Sequence, residues 1–331
     1  MRFLFPVLVA LLLVTAAEAK RARRTPVNTP TGVTVDQQRL EPWGSGFAVF
    51  RNSEGKGEVV AYDADGENPK VLAAAAAPIV AWSPSPKEDS LAWLSAGKIH
   101  VRATPDGKDR EWGDAEAIRP TFSRDGKVVA FVAKGSLVLR DLEGERRREI
   151  APRQNRRIEG IEFTGDGKWL MAVTAPVVMD AESFADTIER LDASAEAPGF
   201  EAVHTARIAR IRSACVSPTD DHVAFLEWTR EDAKPVLRIL PLGSGLFHDL
   251  TDTGDFRELA FAADGRWLMM NLGGVVHTQQ LFQSGSVRSF YREILTVGEG
   301  RADSRPVSGK GGMWFLRAKT GAFEVVKSVL E

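Results

Sequence analysis

The strongest constraint on this chain is an internal repeat. A small or polar residue, an aromatic or Val, and a Ser, Thr or Ala lead into a short turn segment, and an apolar run follows. The copies begin at Ala81-Trp82-Ser83-Pro84, Thr121-Phe122-Ser123, Glu162-Phe163-Thr164, Cys215-Val216-Ser217 and Ala260-Phe261-Ala262, with a degraded sixth at Val307-Ser308-Gly309. In three of them the turn closes on Asp-Gly: Asp125-Gly126, Asp166-Gly167 and Asp264-Gly265. Asp-Gly between apolar runs is the signature of a tight hairpin, and those glycines are expected to hold positive φ. The runs after the turns, such as Val128 to Val132 and Trp169 to Val173, are continuously apolar rather than alternating. Strands of that kind need cover on both faces. A second hairpin follows, most clearly at Leu137 to Gly144 and Val59 to Gly66, so each repeat reads as four short antiparallel strands.

Spacing converts the repeat into an architecture. The repeat positions Trp82, Phe122, Phe163, Val216, Phe261 and Val307 lie about 40 to 53 residues apart. Four-stranded units at this period, without helical periodicity, make an all-β propeller of four-stranded antiparallel blades. Length and an additional unit over Phe47 to Leu72 favour seven blades, with six as the alternative. The last copy ends at Phe323 to Leu330 without a fourth strand, and Gly32 to Asp36 is expected to supply it and close the ring. The longest interval marks an insertion at about 175–205. Within it Phe184, Ile188 and Leu191 are spaced for a short amphipathic helix over Asp180 to Ser194, and the same segment reads equally as an acidic loop packed on its own blade.

The start of the chain reads as an export signal. Met1-Arg2 precedes the apolar run Phe3 to Thr15, and Ala17-Glu18-Ala19 forms a small-residue cleavage site. Cleavage after Ala19 assigns 1–19 to a signal peptide, 20–42 to an N-terminal segment and 43–331 to the propeller, in the periplasm or outside the cell. The apolar run is shorter than the roughly 20 residues that span a bilayer, so no transmembrane segment is expected in the mature chain. The net charge of −2 argues against nucleic acid as a partner. Cys215 is the single cysteine, so no internal disulfide forms and the fold must hold by burial.

The segments SRDGKVVAFV, TGDGKWLMAV and AADGRWLMMN resemble the TolB-like (WD-repeat-like) β-propeller repeat, in five good copies and one poor one over about 43–331. That resemblance implies a periplasmic, non-catalytic module whose partner is another envelope or periplasmic protein. It does not by itself fix a function, because propeller blades serve many roles.

Catalytic chemistry is hard to find. There is no Gly-x-Ser-x-Gly elbow, the five histidines are scattered, and Gly309-Lys310-Gly311-Gly312 reads as a hairpin rather than a phosphate loop. No catalytic residue, metal ligand or cofactor is assigned, and a monomer is expected. One constellation stands out: Arg119, Arg157, Arg212, Arg257 and Arg305 sit just before the repeat positions of five units, where a propeller gathers residues around one mouth of its channel. Such a ring would attract carboxylates or phosphates; the plainer reading is five solvated loop arginines. Two alternatives to the binding module remain open. One is a lactonase- or hydrolase-like propeller enzyme with a metal held in the channel by carboxylates of several blades. The other is a binder of small anions or glycans at the arginine mouth.

Overall fold

Each repeat folds into one four-stranded antiparallel sheet, and seven such sheets form among the described residues. The computed structural model describes residues 23–27, 40–103, 107–178, 185–206, 210–228, 234–245, 248–251, 256–272, 275–280, 295–296, 307–309, 312–319 and 322–329. Blades one to six run in chain order over 41–75, 79–114, 121–150, 156–205, 210–251 and 256–296. Blade seven combines 307–329 with the strand Arg23–Val27. The innermost strands Glu41–Trp43, Ile79–Pro84, Thr121–Phe122, Arg156–Phe163, Arg210–Val216, Phe256–Phe261 and Val307–Gly309 touch their neighbours in a closed circle, the last against the first. The molecule is a seven-bladed propeller.

The core lies between blades, which is why a second strand such as Val128–Ala133 is apolar at every position. Side chains alternate across a strand. In Gly46–Ser53, Phe47 and Val49 pack with Trp314 and Val325 of blade seven. Ala48 and Phe50 face the other way, onto Trp82 and Trp93 of blade two. Burying each large side chain in these seams contributes about 1.5–3 kcal/mol.

Three sequence expectations change in the structure. The outer strand of blade seven is Arg23–Val27, Arg23 standing opposite Val329, whereas Gly32 to Asp36 lies outside the described residues. An outer strand has one open edge, and arginines and a proline suit such an edge. The expected helix over Asp180 to Ser194 is replaced, in its described part, by the strand Thr187–Leu191. That strand is covered on both sides, so its helix-like spacing arose by chance; residues 179–184 lie outside the description. In blade two the residue equivalent to Phe122, Phe163 and Phe261 is Pro84, paired with Leu91, not Trp82, which pairs with Trp93. The two positions share one face of the strand.

The repeat turns build one rim. Ser123, Thr164 and Ala262 each receive their glycine N–H on the backbone carbonyl, at 2.8, 2.9 and 2.9 Å. The aspartate carboxylate then accepts N–H groups beyond the turn, as Asp166 does from Lys168 at 3.0 Å. Gly126, Gly167 and Gly265 hold φ of 72°, 73° and 68°, as the hairpin reading required. Neighbouring turns also grip one another. Gly44 N–H donates to Glu88 Oε2 (2.6 Å), Gly165 N–H to the Ser217 carbonyl (3.0 Å), and Ala263 N–H to Ser308 Oγ (2.6 Å). A Cβ on Gly165 would lie 1.9 Å from the Pro218 carbonyl carbon, and one on Gly265 would lie 2.1 Å from Thr219 Oγ1. This rim is a closed, interlocked ring of turns.

Candidate functional site

The opposite rim, where the inner strands begin, is built differently. Four inner strands carry a register shift near their start: between Ile79 and Ala81, Ile158 and Gly160, Arg212 and Cys215, and Phe256 and Leu259. Each shift inserts residues that do not pair, bends the strand and re-aims its side chains. In the third of these, Ser213 holds φ of 52°, a left-handed conformation uncommon outside glycine. Its hydroxyl donates to Glu258 Oε2 (3.2 Å) and accepts from Leu259 N–H (2.8 Å), tying blade five to blade six. Val80, Val177 and Val178 are exposed here at 40, 55 and 68%.

Among the described residues, two cavities lie on this side. One, of about 410 Å³, lies between the inner strands of blades four and five, with Arg119, Glu159, Glu162 and Arg212 among its walls. The other, of about 450 Å³, sits in blade four between Arg153 to Arg156 and Pro176, Thr187 and Thr205.

The five arginines singled out by position do not act alike. Arg119 is a brace across the ring. Its guanidinium pairs with Glu41 of blade one (2.7 Å), donates to the Trp82 carbonyl of blade two (3.3 Å) and lies 3.8 Å from Glu162 of blade four. Glu162 in turn accepts Val216 N–H of blade five at 3.2 Å. Arg157 is paired with Glu159 at 2.5 Å. Arg212 is exposed, stands 5.7 Å from the Trp228 ring and makes no ion pair among the described residues. The structure therefore brings Arg119 and Arg212 to one cavity, with carboxylates already beside Arg119. Arg257 lies in the inner strand of blade six, at a position whose side chain is not described, and Arg305 falls outside the described residues.

Polar groups that the residue pattern did not single out are buried in blade four. Glu189 is fully buried and accepts from Thr174 Oγ1 (3.1 Å), with Arg156 and Arg153 at 3.6 and 3.8 Å. Burial pushes its carboxyl above the usual range, more than the Thr174 hydrogen bond and the arginine charges pull it down. Asp186 is likewise pushed up by burial, against a hydrogen bond from Ile211 N–H at 2.9 Å and the charge of Arg210. At the seam with blade five, His204 Nε2 lies 2.8 Å and Arg238 2.6 Å from Glu227 Oε2. Burial pushes Glu227 up, yet these two contacts outweigh it and hold the carboxyl low. The signal available was a single Asp, Glu or His within or beside a strand, which periodicity alone cannot separate from an exposed position.

Among the described residues, one group has metal-ligand spacing: Asp220, Asp221 and His222, with ligand atoms within 4.8 Å of one another. It lies in the turn of blade five on the interlocked rim, not in the channel. Its carboxylates are committed locally, Asp220 to the His222 backbone N–H at 3.0 Å and Asp221 to Gly243 N–H at 2.8 Å.

Comparison with known proteins agrees on the fold. A chain of a mitotic checkpoint complex matches with a TM-score of 0.63 at 14% identity, over 100% of this chain and 99% of that one. A prolyl endopeptidase matches with a TM-score of 0.58 at 12% identity, over 88% of this chain and 50% of that one, so this chain corresponds to about half of the endopeptidase's length. Identities this low speak to the β-propeller, WD-like architecture alone. No protein-family model and no curated sequence matches the chain. No helix among the described residues is long and apolar enough to cross a membrane.

Proposed function

We propose that this chain is an exported, non-catalytic propeller of the TolB-like kind that docks a protein of the cell envelope on its open rim. The observation that carries this is the inequality of the two rims. One is sealed by turns that already satisfy each other. The other offers, among the described residues, two cavities, exposed valines and an exposed Arg212 without an ion pair, on a rigid ring. Rigid scaffolds place their recognition residues on such loop-built faces. Export is supported by the leader and its small-residue site, and the mature protein is expected to begin at Lys20.

A photo-reactive residue placed at Val177 or at Arg212 on the open rim, and at Asp264 on the sealed rim, tests the docking surface in intact envelopes. Adducts to a discrete protein are expected from the first two positions, weakening with salt, and none from the third. Adducts from Asp264 alone, or from none of the three, would reject the reading.

A further inference from the structure

We infer that the cavity of blade four receives the C-terminal carboxylate of a partner's chain, the last residue being aliphatic. This rests on the docking reading above and names the chemistry of the docked segment. One wall of the cavity is rich in hydrogen-bond donors: the guanidinium groups of Arg153 and Arg156 and the amides of Gln154 and Asn155. Planar forks of this kind match a carboxylate in two-point fashion. The two arginines are not interchangeable. Arg156 is 16% exposed and spends its donors on Thr174 Oγ1 (2.8 Å), the Thr174 carbonyl (2.7 Å) and the Ala185 carbonyl (3.0 Å), so it shapes the wall. Arg153 is 51% exposed and its contact with Glu189 is a loose 3.8 Å, which leaves its fork for a ligand.

Glu189 lies directly behind both guanidinium groups and explains why two arginines stand side by side here. A fully buried carboxyl with one oxygen, Oε2, lacking a hydrogen-bond partner among the described residues is costly. Where it is ionised, its charge offsets the repulsion between the two arginines. Thr187 and Thr205 also line the cavity, their hydroxyls 3.3 Å apart and engaged with each other, and Pro176 and Ala185 supply its apolar surface. Pro176 forms part of the opposite wall, and the exposed Val177 and Val178 continue it outward. A volume of about 450 Å³ is several times that of a bare carboxylate and leaves room for the side chain that carries it. An exposed guanidinium fork beside the aliphatic surface of Pro176 and Val177 fits a chain terminus rather than a free inorganic anion.

Calorimetric titration of the mature full-length protein distinguishes the sources. The probes are an acetylated Gly-Ser peptide ending in Ala-Val with a free carboxylate, the same peptide as its C-terminal amide, and sodium acetate. The free acid is expected to bind, the amide not. R153Q should weaken binding about tenfold, the loss of one charge-assisted contact, with an unchanged melting temperature. R153K, which keeps the charge and loses the fork, should fall between. Equal binding of the amide, acetate binding as tightly as the peptide, no binding at all, or full binding by R153Q would each overturn the assignment. Adducts from Val177 that persist in R153Q, together with intact peptide-free folding, would remove the cavity from the docking rim while leaving the rim itself in place.

Discussion

The two rims of this propeller come from the same seven repeats and have opposite characters. On the sealed rim the turns between first and second strands are short, those of blades three and four share the same hydroxyl, Asp and Gly chemistry, and backbone N–H groups tie them to the next blade, as Gly165 is tied to Ser217 and Gly44 to Glu88. On the open rim the inner strands bulge, the loops differ in length from blade to blade, and the inter-blade ties run through side chains such as Arg119, Ser213 and Asp186. Turns whose backbone donors are already taken by the next blade leave little freedom for a partner. Ties made by individual side chains vary from seam to seam, and that variation is what a specific partner can read.

The largest test of this contrast is Gly165→Ala. The new methyl would meet the Pro218 carbonyl carbon at 1.9 Å, and backbone cannot swing aside as a side chain can. A loss of about 3 kcal/mol or more is expected in urea titration, as for other severe core clashes. A mild effect would mean the sealed rim is looser than its geometry.

Arg119→Ala probes the open rim's own bracing. Partner removal from a buried pair costs about 3–5 kcal/mol; with Arg119 partly solvated, about 2 kcal/mol is the expected loss by thermal denaturation. Unchanged stability would return Arg119 to the pool of ligand-binding groups and blur the distinction between the rims.

Glu189→Gln should act with a pH signature. A carboxyl whose pKa is raised on folding favours the folded state while protonated and loses that advantage as pH rises through the unfolded and then the folded value. The variant should therefore melt higher than the parent at neutral pH, the gap closing below about pH 4, near the unfolded Glu value. A gap of constant size across that range would show that Glu189 stays charged in the fold.

The smallest change in stability, within about 0.5 kcal/mol, is expected for Arg212→Ser, an exposed side chain without an ion pair among the described residues. The same substitution should nonetheless reduce adducts formed from Val177. A variant that melts early and docks normally would reverse the roles assigned to it and to Arg119.

The sealed rim was legible in the sequence because its chemistry is local: five residues from Thr164 to Lys168 contain the hydroxyl, carboxylate and glycine that the turn uses. The apolar second strands were equally plain, since cover on both faces removes alternation. What escaped was whatever depends on distant partners. Glu41 is 78 residues from Arg119, so position placed that arginine at a channel mouth but said nothing of its neutralisation. Trp82 and Pro84 differ by one full strand period, so a pattern of faces could not fix the register of blade two. Arg23–Val27 carries no burial signal because an outermost strand has little to bury, whereas Gly32 to Asp36 alternates like a strand. In Thr187–Leu191 the apolar spacing fitted a helix, and only cover from both neighbouring blades made it a strand.

The seam that closes the ring also sets how the molecule responds to force. Arg23 lies opposite Val329 and Val27 opposite Val325, so the two strands run antiparallel and their outer ends leave the sheet side by side. Tension between those ends loads the rungs of the ladder one at a time, from Arg23 inward, rather than shearing all of them together. Under load the propeller therefore opens like a zip at blade seven, at low force and in small steps. A pull applied across any other blade meets seams packed on both faces.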